Sequence, residues 1–142
     1  MQVIVVCGPP ASGKTTYVRE HMRVGDLVVD LDAIMQAISF QTHRSPETEN
    51  LLPVALELRK YVYRIIDESR VHAYRCWIIE CLPCEEEREA MQERFNAEII
   101  EMQTSYGECI RRALQDPNRL DKKEQYRAIE KHFWRKNHEE RE

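Results

Sequence analysis

The sequence predicts a three-layer α/β fold: a four-stranded parallel sheet, helices on both of its faces, and a helical lid towards the C-terminal end. Three observations carry this expectation. Short apolar runs rich in β-branched residues, Val3 to Val6 being the clearest, alternate with longer segments of helical spacing. A glycine loop sits between the first such run and the first helix. Acidic residues, Asp30 and Glu80, stand at the ends of the second and third runs, and ligands of open parallel sheets gather beyond the carboxyl ends of the strands.

The elements follow in order. Gln2 to Cys7 reads as the first strand, and Lys14 to about Arg23 as a helix that stops before the Gly25-Asp26 turn. Leu27, Val28 and Val29 form a short second strand ending at Asp30, and Asp32 to Phe40 places Ile34, Ala37 and Ile38 on one helical side. Gln41 to Asn50 is polar and reads as a loop, in which Ser45 can cap a helix with Pro46 in its first turn. Leu51, Ala55, Leu58, Val62, Ile65 and Ile66 then recur at three- and four-residue spacing, giving an amphipathic helix to about Arg70. Cys76 to Ile79, ending at Glu80, is the third strand, Glu85 to Phe95 a charged helix, and Ala97 to Met102 the fourth strand. Two helices close the chain, about Tyr106 to Gln115 and Lys122 to Asn137, on either side of Asp116-Pro117-Asn118.

The loop from Gly8 to Thr15 satisfies G-x-x-x-x-G-K-[ST] at every fixed position, in the strand–loop–helix context that the motif requires. Gly8 and Gly13 let the backbone wrap an anion, with Pro10, Ala11, Ser12 and Thr16 around the same cradle. Successive amides and the helix N-terminus then point at phosphate. Lys14 supplies a point charge for the β and γ oxygens, and the Thr15 hydroxyl is placed to ligate Mg²⁺. The expectation is a P-loop NTPase fold that binds a nucleoside triphosphate.

Bulk properties are those of one globular domain spanning residues 1–142, with 42% hydrophobic and 32% charged residues. No apolar stretch approaches the roughly 20 residues needed to span a bilayer, so no membrane partner is expected. Five cysteines and no visible leader suggest reduced thiols in the cytoplasm. The net charge of −4 excludes a generally basic nucleic-acid binder. Arg111 to Lys136 nevertheless holds nine basic and four acidic residues, either a solvated helix face or a phosphate-facing lid of about residues 104–121.

Asp32, a turn past the second strand, can take the proton of an attacking alcohol; Asp30 is expected to cap the helix that follows. Glu80 supports Mg²⁺ through water or orients a nucleophile, with a structural pairing to Lys14 as the alternative. Arg112 and Arg119 are the candidates to stabilise charge on a transferring phosphoryl group, since Arg111 must point away from Arg112 on a helix. Cys81 and Cys84 form a lone C-x-x-C without a second pair for zinc, and read as structural thiols. The five histidines show no ligand or triad spacing, and most are expected to face solvent.

The run Gly8-Pro9-Pro10-Ala11-Ser12-Gly13-Lys14-Thr15-Thr16-Tyr17-Val18-Arg19-Glu20, with Asp32, Glu80, Cys109-Ile110-Arg111-Arg112 and Arg119, resembles the kinase domain of phage-type 5′-polynucleotide kinases, small P-loop kinases related to zeta-toxin-like kinases. The resemblance runs over nearly the whole chain. It implies ATP and Mg²⁺ as cofactors, Asp32 as general base, a lid carrying Arg112 and Arg119, and transfer of the γ-phosphate to a 5′-OH of DNA or RNA. A nucleoside or nucleotide acceptor is the nearest alternative. A nucleotide-switched NTPase in a phage or host nucleic-acid process is the alternative without kinase activity. Two positions depart from that family: Met35 stands where it has an arginine three residues after the base, and Glu80-Cys81-Leu82-Pro83 stands where it usually has Asp-Thr-Asn.

Overall fold

A computed structural model describes residues 1–117 and 121–139. Four parallel strands, β1 (Gln2–Cys7), β2 (Leu27–Asp30), β3 (Arg75–Glu80) and β4 (Glu98–Glu101), form one sheet in the order β2-β3-β1-β4. The register pairs Val5 with Ile78 on one side and with Ile99 on the other, and Ile78 in turn with Val29. The central strands are therefore apolar on both faces, as a doubly covered parallel sheet demands.

Alternation along the strands divides the core. Val3, Val5, Cys7, Cys76 and Ile78 point to one face, where Tyr63 and Ile66 of α3 (Leu52–Asp67) and Met91 and Phe95 of α4 (Glu85–Phe95) cover them. Ile4, Val6, Trp77 and Ile79 point to the other, against Tyr17 and Val18 of α1 (Lys14–His21). Burying one such side chain is worth about 1.5–3 kcal/mol. A third cluster joins Cys109 and Ala113 of α5 (Tyr106–Gln115) to Ile129 of α6 (Lys122–Glu139), with Ala11 of the glycine loop packed against it. Through that cluster the C-terminal helices rest on the loop.

The expected elements are all present, with shifted ends. The helix after β2, α2 (Leu31–Ser39), starts one residue earlier than the spacing indicates and stops where Phe40 adopts a left-handed conformation. The polar segment is half ordered as a 3-10 helix over Pro46–Leu51, because Ser45 and Thr48 form a reciprocal capping box. α3 ends at Asp67, three residues short of Arg70, since Ser69 takes a positive φ of 56°. Most of the histidines are expected to face solvent, and His132 is buried. Among the described residues no helix is long and apolar enough to cross a membrane.

Candidate active site

The glycine loop leaves β1 and turns back into α1 through three positive φ angles, at Gly8 (149°), Ala11 (63°) and Gly13 (95°). A Cβ on Gly8 would lie 2.9 Å from Ser12 Oγ and 3.0 Å from Met102 Cβ, so only glycine fits there. The loop is tied to its neighbours. Gly8 N–H donates to the Cys81 carbonyl at 3.1 Å, and Thr104 Oγ1 donates to the Ser12 carbonyl at 2.8 Å.

Lys14 spans the loop from within. Its Nζ donates to the carbonyls of Gly8 (2.6 Å) and Pro9 (3.0 Å) and to Cys81 Sγ (3.5 Å). The ammonium is thereby fixed over the mouth of the loop rather than free in solvent. Thr15 and Thr16 follow in the exposed first turn of α1, a turn that holds no acidic residue to compete for an incoming anion. Ser12 is buried, and its Oγ has no hydrogen-bond partner. An orphaned hydroxyl beside a glycine cradle, a helix N-terminus and a fixed lysine is a donor set that suits polyphosphate.

Arg112 comes to this loop from α5. Its Nη1 is 3.1 Å from where a Cβ on Gly13 would be, and its Nε donates to Glu108 at 3.0 Å. Arg111 meets the same Glu108 carboxylate and also donates to Gln115 Oε1 (2.8 Å). The Glu108 carboxyl is held down to about 2, by hydrogen bonds from Arg111 first and Arg112 second. Arg119 lies outside the described residues. α6 adds an edge to the site: Arg135 pairs with Glu87 at 2.9 Å and Lys136 with Glu101. The buried His132 has its pKa lowered to about 4, by desolvation first and the charge of Lys14 second.

On the β2 side, Asp30 stands at the N-cap position of α2 without a side-chain hydrogen bond that closes the cap. Its pKa is raised, by burial first and by Asp32 second, against the backbone amides of Asp32 and Ala33 and the charge of Lys14. Asp32 is exposed and ion-paired to Arg44 at 3.4 Å. Beside Arg44, the segment from Gln41 to Glu47 lines a cavity of about 390 Å³.

Glu80, at the end of β3, is held from α3. It accepts a hydrogen bond from Tyr63 Oη at 2.5 Å and faces Arg59 at 3.7 Å, both from α3. The partners of Lys14 are the loop carbonyls and Cys81, so the Lys14–Glu80 pairing is not made. The C-x-x-C cysteines part company as well: Cys81 is exposed beside Lys14, while Cys84 is buried at the start of α4. Among the described residues no group of histidine, cysteine and acidic side chains is arranged to hold a metal ion by itself.

Sequence reasoning missed Thr104 and Arg44. Thr104 carried a weak signal, a hydroxyl just past the end of β4. Arg44 carried none, because its partners Asp32 and Glu49 are twelve and five residues away through an irregular segment.

No curated protein matches the chain. Among solved structures it is similar to a chain in the structure of the Pnkp1/Rnl/Hen1 RNA repair complex, at 19% identity and a TM-score of 0.63. That similarity covers 96% of this chain and 44% of the other, so this chain spans less than half of its structural relative. The likeness speaks for the fold, an α/β domain built on a four-stranded parallel sheet. The family described as AAA domain matches residues 3–125, which takes in all of the sheet but Gln2, the glycine loop and α5. On that match the chain belongs to the AAA domain family.

Proposed function

We propose that this chain is an ATP-dependent phosphotransferase that moves the γ-phosphate to a hydroxyl, with the 5′-OH of DNA or RNA as acceptor. The observation that carries the reading is the loop itself: Lys14 pinned across two loop carbonyls, Ser12 Oγ left without a partner, and Arg112 laid over Gly13. Such donors recognise a chain of phosphates and stabilise charge as it develops on the transferring group.

Thr15 and, through water, Glu80 would hold Mg²⁺, which when bound neutralises charge on the β and γ oxygens. Lys14 and the loop amides hold the triphosphate. Arg112, and Arg119 from the segment outside the described residues, donate to the moving phosphoryl group. Asp32 accepts the proton of the attacking hydroxyl, and its exposure leaves it open to an acceptor.

The second reading is a P-loop NTPase without an acceptor. It draws on Met35, an apolar core residue where the resembling kinases have an arginine. Incubation with γ-labelled ATP and a panel of 5′-OH oligonucleotides, nucleosides and nucleotides separates the two. Label on an oligonucleotide supports the kinase reading. Steady hydrolysis with no labelled acceptor overturns it and leaves the nucleotide site standing.

A further inference from the structure

Met35 is 2% exposed and sits in the interior under α2. A guanidinium could not occupy that place without losing its hydration, and α2 carries no basic residue, so a cation that orients Asp32 comes from another segment. Arg44 does so. Its Nε and Nη2 donate to the two carboxylate oxygens of Glu49, at 2.6 and 3.0 Å, in a fork-to-fork pair. That grip leaves Nη1 aimed at Asp32 Oδ1, 3.4 Å away. Glu49 follows the capping box of Ser45 and Thr48, so the clamp is anchored to an ordered turn.

We infer that Arg44, held by Glu49, is a positioning residue for Asp32, supplying from the loop the cation that α2 does not carry. The inference rests on the reading of Asp32 as general base. With Oδ1 engaged by Arg44, Oδ2 is the oxygen presented to the acceptor. In the transfer step the acceptor oxygen forms a bond to the γ-phosphorus and the bond from that phosphorus to the β,γ-bridging oxygen breaks. ADP leaves with the electron pair, and the acceptor proton passes to Asp32 Oδ2 and then to water. Arg44 takes no proton and forms no bond. Its part is to fix the angle of the carboxylate, and misplacing a reacting group by about 1 Å costs up to roughly 10²-fold in rate.

The experiment compares Arg44→Ala, Arg44→Lys, Glu49→Gln and Asp32→Asn in the full chain, with γ-labelled ATP and a 5′-OH oligonucleotide. Arg44→Ala is expected to lower kcat for transfer by roughly 10- to 10²-fold at unchanged KM for ATP. Added guanidinium should restore part of the loss, Arg44→Lys should retain part of the activity, and Glu49→Gln should fall between wild type and Arg44→Ala. A normal kcat in Arg44→Ala while Asp32→Asn is inactive overturns the inference and leaves the base assignment intact. An Arg44→Ala loss that guanidinium does not relieve, accompanied by a lowered melting temperature and a raised KM for ATP, also overturns it, since Arg44 would then only hold the loop together. Unimpaired transfer by Asp32→Asn removes the base assignment itself, and the role of Arg44 with it.

Discussion

The guanidinium of Arg112 lies directly over Gly13, with Nη1 3.1 Å from the point that a Cβ on that glycine would occupy. Gly13 also has a φ of 95° and is the N-cap of α1. The positive φ is what makes Gly13→Ala costly. Alanine pays backbone strain of about 1–3 kcal/mol in that region, and its methyl pushes the Arg112 guanidinium back by a few tenths of an ångström. The expected result is a lower melting temperature together with weaker ATP binding, read by thermal unfolding and calorimetric titration. Unchanged values for both would show that the loop does not hold this conformation in solution.

Lys14→Ala removes a cross-brace as well as a charge, because Nζ bonds two loop carbonyls at once. Loss of ATP affinity by about 2–3 kcal/mol is expected, the scale of a charge-assisted hydrogen bond, with turnover abolished. Lys14→Arg should rescue little, since a planar fork cannot reproduce a compact ammonium held at 2.6 and 3.0 Å from two carbonyls. Calorimetry with Mg-ATP and a turnover assay check both variants.

The sequence made the sheet and the loop readable because both rest on local rules: β-branched runs bounded by turns, and a motif whose spacing is set by backbone wrapping around an anion. The approach of Arg112 to the loop follows from the helical phase that separates it from Arg111. The engagement of Glu80 by Tyr63 and Arg59 could not be read, because it depends on how α3 crosses the sheet. The burial of His132 is of the same kind. It arises from α6 folding back over the loop, anchored through Arg135 and Lys136 to α4 and β4. Long-range packing of this sort leaves no periodic trace at the residue it buries.

Asp30 and Asp32 should respond differently to amidation. The raised pKa of Asp30 means that ionising it opposes folding, by burial first and by repulsion from Asp32 second. The sign follows: a group raised in the folded state gives stability that is present at low pH and lost as pH rises above the ordinary carboxylate value. Asp30→Asn should therefore raise the melting temperature at neutral pH relative to wild type, with the gap closing under acid conditions. Asp32→Asn should leave ATP binding nearly intact and lower phosphoryl transfer by roughly 10²-fold or more, the scale of a lost general base. Parallel melting curves and transfer assays decide it; if Asp30→Asn is the variant that stops transfer, the roles are reversed.

The buried His132 sets a limit on acid stability. Its folded pKa is lowered to about 4, by desolvation first and by Lys14 second, whereas an unfolded histidine titrates near 6.5. Between those values the unfolded chain binds a proton that the folded chain refuses, so stability rises with pH there and is lost as pH falls from about 6.5 towards 4. The neutral ring is complete above that window and contributes no further pH dependence at higher pH. A His132→Gln variant cannot titrate, so its melting temperature should fall less steeply than that of wild type across this range, even if it starts lower because packing beside the loop is disturbed. Bound nucleotide adds a second signature. Its phosphates offset the charge of Lys14, which is one of the causes of the depression, so saturating Mg-ATP should raise the histidine pKa and narrow the window. Following the His132 ring signals by NMR through a pH titration, with and without nucleotide, measures this directly. An unperturbed midpoint near 6.5 in the free protein would show that α6 does not bury the ring against the loop.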